Sequence, residues 1–316
     1  MSVGTRRFAL KKVLELFLTL FIVTIISFVL MRVAPIGPAE AYARRGTITD
    51  PVKIAQIKED MGLTRPLFEQ YIDWVKDVMK LDFGKSYVSS RSVFTDVTTA
   101  LAVTAIITVI SAVIQAAGVL LIGCLCYWSK GRWFESLIDL LCIVGISIPA
   151  FFLATTFIDV FAVKYSVISV AGNTGVMRYL PAAICLSVSG IAFFGQLLAN
   201  NMQKSMESDS AFYARCRGLT ERRIMFHHAL PQAVVGIMPN FMQMIGLCMA
   251  GATIVENIFS LPGLGYRVVQ SVLQRDAPMI HATILFLAFA LVICNIISDI
   301  LQRALQGGSA MKEGEK

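Results

Sequence analysis

The sequence predicts an all-α polytopic membrane protein of about six transmembrane helices, with a small external helical region after the first. Three observations predict it. Of the 316 residues, 56% are hydrophobic and only 16% charged, against about a quarter charged in a soluble domain. Lipid-facing surface needs no charge, and the inside of a helix bundle tolerates little. Six apolar runs, at roughly 9–33, 97–127, 134–162, 179–203, 231–256 and 281–305, reach the ~20 residues that a helix needs to cross a bilayer core. Finally, the basic residues are unevenly divided among the connections between those runs. Short connections on one side hold Arg6, Arg7, Lys11, Lys12, Lys130, Arg132, Lys204, Arg215, Arg217, Arg222, Arg223, Arg303, Lys312 and Lys316; those on the other hold only Arg32, Lys164, Arg178, Arg267 and Arg275. The basic side is cytoplasmic, which places both termini inside. The same rule accounts for the net charge of +7, and no basic run is interleaved with aromatics as a nucleic-acid platform would be.

The first run (1–35) is a retained transmembrane helix. Basic residues precede it and Ala41-Tyr42-Ala43 resembles a cleavage site, but the apolar stretch Leu14 to Leu30 exceeds the ~7–15 residues of a signal-peptide core. Residues 36–96 form one long external region with nine basic and nine acidic residues. Asp50-Pro51 opens a short helix that closes at Gly62. Pro66 opens a second, with Leu67, Tyr71, Val75 and Val78 on one face. Gly84-Lys85-Ser86 suggests a nucleotide loop only superficially, since that motif needs glycine where Met79 stands and this segment lies outside.

Residues 97–306 hold the remaining five spans, followed by a cytoplasmic tail, 307–316. Pro149 and Pro239 bend helices three and five, and Gly246 and Gly251 thin helix five. Such breakers are tolerated where neighbouring helices re-satisfy the backbone. Gly246 with Ala250, and Ala112 with Ala116, are small-residue pairs suited to close helix packing. Asp139 and Asp299 fall near cytoplasmic ends and Asp159 near the outer end. Six of the seven cysteines, all but Cys216, lie in apolar runs and read as small packing residues. Cys124 and Cys126 point about 200° apart on a helix, so they make no metal pair.

Between the fourth and fifth spans, at 205–230, lies an unusually polar connection. Ser208 to Arg217 is helix-compatible, Gly218 suits a left-handed C-terminal position, and Thr220 is a good N-cap with Glu221 at the positive end of the next dipole. The second helix runs to Pro231, where the fifth span starts. This elbow suits docking in a cleft on another protein, with Leu219, Ile224, Met225 and Phe226 giving apolar contact and Arg215, Arg217, Arg222 and Arg223 framing it. His227 and His228 point about 100° apart, and no carboxylate or cysteine is spaced to join them at a metal.

The spacing from Gly218 to Leu230-Pro231 resembles the EAA loop of binding-protein-dependent ABC importer permeases. Ala214-Arg215-Cys216-Arg217-Gly218-Leu219 and Glu221-Arg222-Arg223 are similar to the dipeptide, oligopeptide and nickel class. So are Gly145-Ile146-Ser147-Ile148-Pro149-Ala150-Phe151 in the third helix, Gly62-Leu63 with Arg65-Pro66-Leu67 and Gln70-Tyr71 outside, Glu256-Asn257-Ile258-Phe259-Ser260-Leu261-Pro262-Gly263-Leu264-Gly265 at the fifth-helix exit, and Arg275-Asp276-Ala277-Pro278 before the last helix. The chain departs from the pattern at Phe212 and Tyr213, which replace Glu-Ala, at His228, where isoleucine is usual, and at Gln196 and Ala199, where arginines are frequent. The usual Asp-Pro-Arg is absent after Asp299.

The resemblance implies an ABC type I importer permease fold and a non-catalytic subunit forming half of a translocation pathway beside a second, related permease. It implies two cytoplasmic ATPases carrying ATP and Mg, and an external solute-binding protein. Ala214, Arg215, Arg217, Gly218, Leu219, Thr220, Glu221, Arg222, Arg223, Leu230 and Pro231 would couple to the ATPases. Glu256, Phe259, Pro262, Gly263 and Gly265 form either an outer gate or receptor contact, or a plain re-entrant turn. No catalytic residue, metal ligand or cofactor is expected on this chain. Peptide is the first substrate expectation and nickel or a metal chelate the alternative. An ion-gradient-driven secondary transporter is the different-class alternative, and it lacks the inverted repeats and central acids that such proteins use.

Overall fold

The computed structural model describes residues 3–33, 37–45, 48, 50–166 and 175–313. The expected boundary at 35/36 and the last tail residues, 314–316 with Lys316, lie outside them. The described chain is helical, with one isolated antiparallel bridge, Lys85 to Ser92. It divides into two compact units: Met1–Thr104 with Ser260–Val292, and Ala105–Phe259 with Ile293–Lys316. This grouping cuts across the linear one, because the segment after the fifth span packs with the N-terminal elements.

In the first unit, α1 (Val3–Val33) is the first span. Leu14, Phe17, Leu18 and Phe21 are exposed, as lipid contact requires, whereas Thr24, Ser27 and Phe28 are buried. The Thr24 hydroxyl bonds the Tyr71 hydroxyl at 2.9 Å, and Ser27 Oγ bonds His281 Nδ1 at 2.7 Å. A short α2 (Pro38–Arg45) precedes α3 (Pro51–Asp60). There the Asp50 carboxylate caps Val52 N at 3.0 Å and Gly62 closes the helix at φ +66°, as the Asp-Pro and Gly signals predict. Glu40 pairs with Lys58 across α2 and α3 at 2.5 Å, and the ammonium holds that carboxyl below its ordinary range. In α4 (Leu67–Met79), the expected apolar face is real at Val78, which joins the core of Phe83, Val93, Val97, Leu264, Met279 and Leu285. Leu67, on the first turn, stays exposed. The unit is completed by the start of α5 (Val93–Ser129), by α12 (Leu264–Gln274) and by the start of α13 (Ala277–Glu313).

In the second unit, the expected third span is broken. α6 (Glu135–Ser147) and α7 (Ala150–Phe157), the latter continuing in a widened turn to Lys164, meet at 93°. Pro149 has no N–H to donate, and Ile148 before it is driven to extended geometry (φ −83°, ψ 119°). Among the described residues, five helices are long and apolar enough to cross a membrane, six if this pair is one span. The fourth span, α8 (Leu180–Met206), interlocks with α5 through glycines: a Cβ on Gly118 would lie 2.6 Å from Ile191, on Gly123 2.6 Å from Leu198, and on Gly195 2.6 Å from Ile122. The fifth, α11 (Leu230–Ile258), runs unbroken through Pro239, whose carbonyl accepts from Ser298 Oγ at 2.9 Å. Gly246 does make a close approach, its Cβ position lying 3.0 Å from Cys294, whereas Gly251 stands in open space.

Candidate functional site

The elbow lies wholly within the second unit. Its first limb is α9 (Asp209–Cys216), and its second begins as α10 (Glu221–Ile224). Between them Gly218 takes φ +80°. Its N–H bonds Arg215 O at 2.9 Å and Leu219 N–H returns to Ala214 O at 3.2 Å. These two bonds satisfy carbonyls that a helix end otherwise leaves bare. Thr220 holds the N-cap backbone position (φ −69°, ψ 149°), but its side chain makes no cap bond.

The second limb does not stop at Pro231, as the sequence suggests. Helix continues from Glu221 to Ile258, and the proline is absorbed by a widened turn, Met225–Ala229, in which Leu230 N–H bonds Met225 O. The missing N–H is accommodated by one i→i+5 turn. The elbow is therefore a rigid extension of the fifth span.

The apolar residues expected to meet a partner divide. Ile224 and Met225 are buried, with Ala211, Ala214 and Ala229, in the unit's own core of Phe194, Leu198, Met202 and Phe241; Leu219 and Leu230 pack half-buried against it. Ala214, Leu219 and Leu230 thus seat the elbow. What faces outward is Phe212 (60% exposed), Tyr213 (68%) and Phe226 (45%), with Arg217, Arg222, Arg223, Pro231 and both histidines exposed. Phe212 and Tyr213 were marked in the sequence only as departures, and their exposure is the signal that composition could not give. Arg215 is tied to Glu221 through Nε at 2.7 Å and Nη2 at 3.3 Å. That pair bridges the two limbs, and the guanidinium lowers the Glu221 pKa below its ordinary value. Ala199 is sealed beside Cys126, Cys142 and Ala192, where an arginine would have no room, and Gln196 is half-buried.

The five residues at the fifth-helix exit fall in different units. Glu256 is fully buried and Phe259 packs edge-on against Phe157 at 6.2 Å. In the other unit Pro262 is half-buried and Gly263 and Gly265 are buried. Leu264 N–H there bonds Thr104 Oγ1 at 2.8 Å, and Arg275 and Asp276 close α12. Asp276, 3% exposed, accepts from Ser86 Oγ at 2.5 Å and from Tyr87 N–H at 3.0 Å. Gly84-Lys85-Ser86, which could be mistaken for a phosphate loop, is a tight turn fastened to this carboxylate. The first unit also holds a cleft of about 410 Å³, whose walls include Phe28, Trp74, Tyr87 and His281 with Asp60 and Asp77. No trio of metal-ligating side chains occurs among the described residues.

Residues 119–308 match the family described as binding-protein-dependent transport system inner membrane component, and residues 5–108 match the N-terminal component of that system. A Brucella abortus (strain 2308) protein named for a peptide transport system permease is 30% identical over 301 residues, covering 92% of this chain and 95% of its own. The glutathione transport system permease protein GsiC of Escherichia coli (strain K12) is 28% identical over 298 residues, covering 94% and 97%. The solved MetNI methionine ABC transporter matches 66% of this chain and 95% of its own with a TM-score of 0.55 and 17% identity, a likeness of fold. These matches set aside the gradient-driven reading.

Proposed function

This chain belongs to the binding-protein-dependent transport system inner membrane component family, and from that premise we propose that it is the half of a peptide-importing pathway whose elbow receives the force of ATP hydrolysis. As a multi-pass inner-membrane permease it is a non-catalytic subunit. In this reading a second, related permease completes the pathway, two ATPases bearing ATP and Mg grip the elbow, and an external binding protein delivers substrate. Lys and Arg placement supports both termini inside the cell. Glu256, fully buried, is in this reading part of an outer gate and not of a receptor surface. Relatives named for peptide and glutathione transport support a peptide substrate.

One observation carries the coupling role: Phe212, Tyr213 and Arg217 are exposed on the first limb and its cap, and Arg222 and Arg223 on the second, which is locked into the core at Ile224 and Met225 and continues into a membrane span. A push on the second limb reaches α11 through continuous helix. The test is co-purification with the ATPase subunits. The quadruple variant F212A/Y213A/R222E/R223E is expected to lose both ATPases while its thermal midpoint stays at the wild-type value. Retention of both ATPases would refute the docking role. Binding of peptides, against nickel, by the partner binding protein tests the substrate.

A further inference from the structure

Deep in the second unit, in the membrane-spanning part of α5, Gln115 is fully buried. One N–H of its amide donates to Ser111 Oγ at 3.0 Å and Nε2 also reaches Cys248 Sγ on α11 at 3.5 Å. Ser111 Oγ lies 3.1 Å from Ser187 Oγ on α8, and the Ser187 hydroxyl donates to Ala183 O at 2.5 Å. Ser187 Oγ also lies 3.2 Å from Ser111 O, so the amide and the two hydroxyls tie three helices together.

In this arrangement Gln115 Oε1 is buried without a donor. Turning the amide over would orphan two N–H donors instead of one acceptor. The oxygen stands against Gly190, where a Cβ would lie 2.3 Å from it. Buried polar atoms are ordinarily paired, because an unmade bond in low dielectric is costly. A relative shift of α5, α8 and α11 is what could bring this oxygen a donor.

We propose that Gln115 is a positioning residue of the transport cycle: its amide latches α5, α8 and α11 in this arrangement and changes partners when the helices move. The latch rests on the importer reading, because it needs an ATP-driven movement to open it. It acts through helix register and touches no substrate.

The test uses the complete transporter in lipid nanodiscs, carrying this chain with C124A, C126A, C142A, C185A, C216A and C294A so that Cys248 is its one thiol. Maleimide labelling of Cys248 is expected to differ by about fivefold or more between the nucleotide-free and vanadate-trapped states. Q115M, which keeps the length and removes the amide's bonds, is expected to erase that contrast. It should lower binding-protein-stimulated ATP turnover by about tenfold with KM for ATP unchanged. G190A, which forces the amide aside without altering it, is expected to reproduce this, and the double variant to do no worse than either alone. If Q115M does not assemble, G190A decides on its own. The proposal is overturned if Cys248 labels equally in both wild-type states. It is also overturned if the variants shift only the melting point while turnover and contrast stay wild-type. A wild-type transporter whose ATPase ignores its binding protein would remove the importer reading, and the latch with it.

Discussion

The elbow and the end of α12 use the same backbone device for opposite purposes. At Gly218 (φ +80°) and at Arg275 (φ +53°) a helix closes on a left-handed residue. Each turn has the same pair of returning bonds: Gly218 N to Arg215 O and Leu219 N to Ala214 O in one, Arg275 N to Val272 O and Asp276 N to Ser271 O in the other. The difference lies in the charges around the turn. At the elbow the apolar residue Leu219 goes inward and the arginines stay in water. At α12 a carboxylate goes inward, with Ser86 and Tyr87 arranged to receive it. A turn that buries a greasy residue can present charge to a partner, whereas one that buries a charge fastens two segments of one unit. The first region should be tolerant of charge changes and the second should not.

Removing the fastened charge has the largest expected effect. D276A strips the buried Ser86 hydroxyl and Tyr87 N–H of their acceptor, and hydrogen bonds to ionised groups contribute about 1.5–3 kcal/mol each. A loss of roughly 3–6 kcal/mol in unfolding free energy is expected from these two bonds, read by denaturant titration in detergent. D276N, which keeps one acceptor, should lose about half as much. A D276A midpoint equal to wild type would mean that Asp276 fastens nothing. Next in size is G218A. No atom lies within 4 Å of a Cβ built at Gly218, so the variant clashes with nothing and reports backbone strain alone, about 1–2 kcal/mol. A change near zero would show that the elbow relaxes freely and could not transmit a push.

The two regions also differed in how far they could be read in advance. Six apolar runs, the Asp50-Pro51 start, the Gly62 and Gly218 stops and the break at Pro149 were legible because each rests on local chemistry: hydropathy, a missing N–H, a left-handed glycine. The inward turn of Ile224 and Met225 was not, because Ile224, Met225 and Phe226 are consecutive apolar residues with no helical spacing to assign a face, and only packing against Leu198 and Met202 assigns it. Pro231 marked the start of the fifth span, where it sits in the first turn of α11, but not the end of the limb before it, since a widened turn let the helix run on through it. Asp276 with Ser86, 190 residues apart, and the Gln115 relay are tertiary pairings that no local pattern announces. The proposed gate and the elbow's proposed partners rest on family membership.

The smallest effect expected is at Glu221, and it separates presentation from fastening most cleanly. Its carboxylate is bonded to Arg215, which lowers its pKa, yet both side chains are largely in water. A carboxyl whose folded pKa is lowered contributes stability above its unfolded pKa, about 4.3, and loses that contribution as pH falls through the folded value. E221Q should therefore be slightly less stable than wild type at pH 7, and the two should converge once pH falls below the lowered folded pKa. Solvent and salt screen an exposed pair, so the gap should close in about 1 M salt even at pH 7. A difference that survives both acid and salt would show that the Arg215–Glu221 bridge holds the two limbs together as firmly as Asp276 holds its turn, and the contrast between the two regions would fail at the elbow.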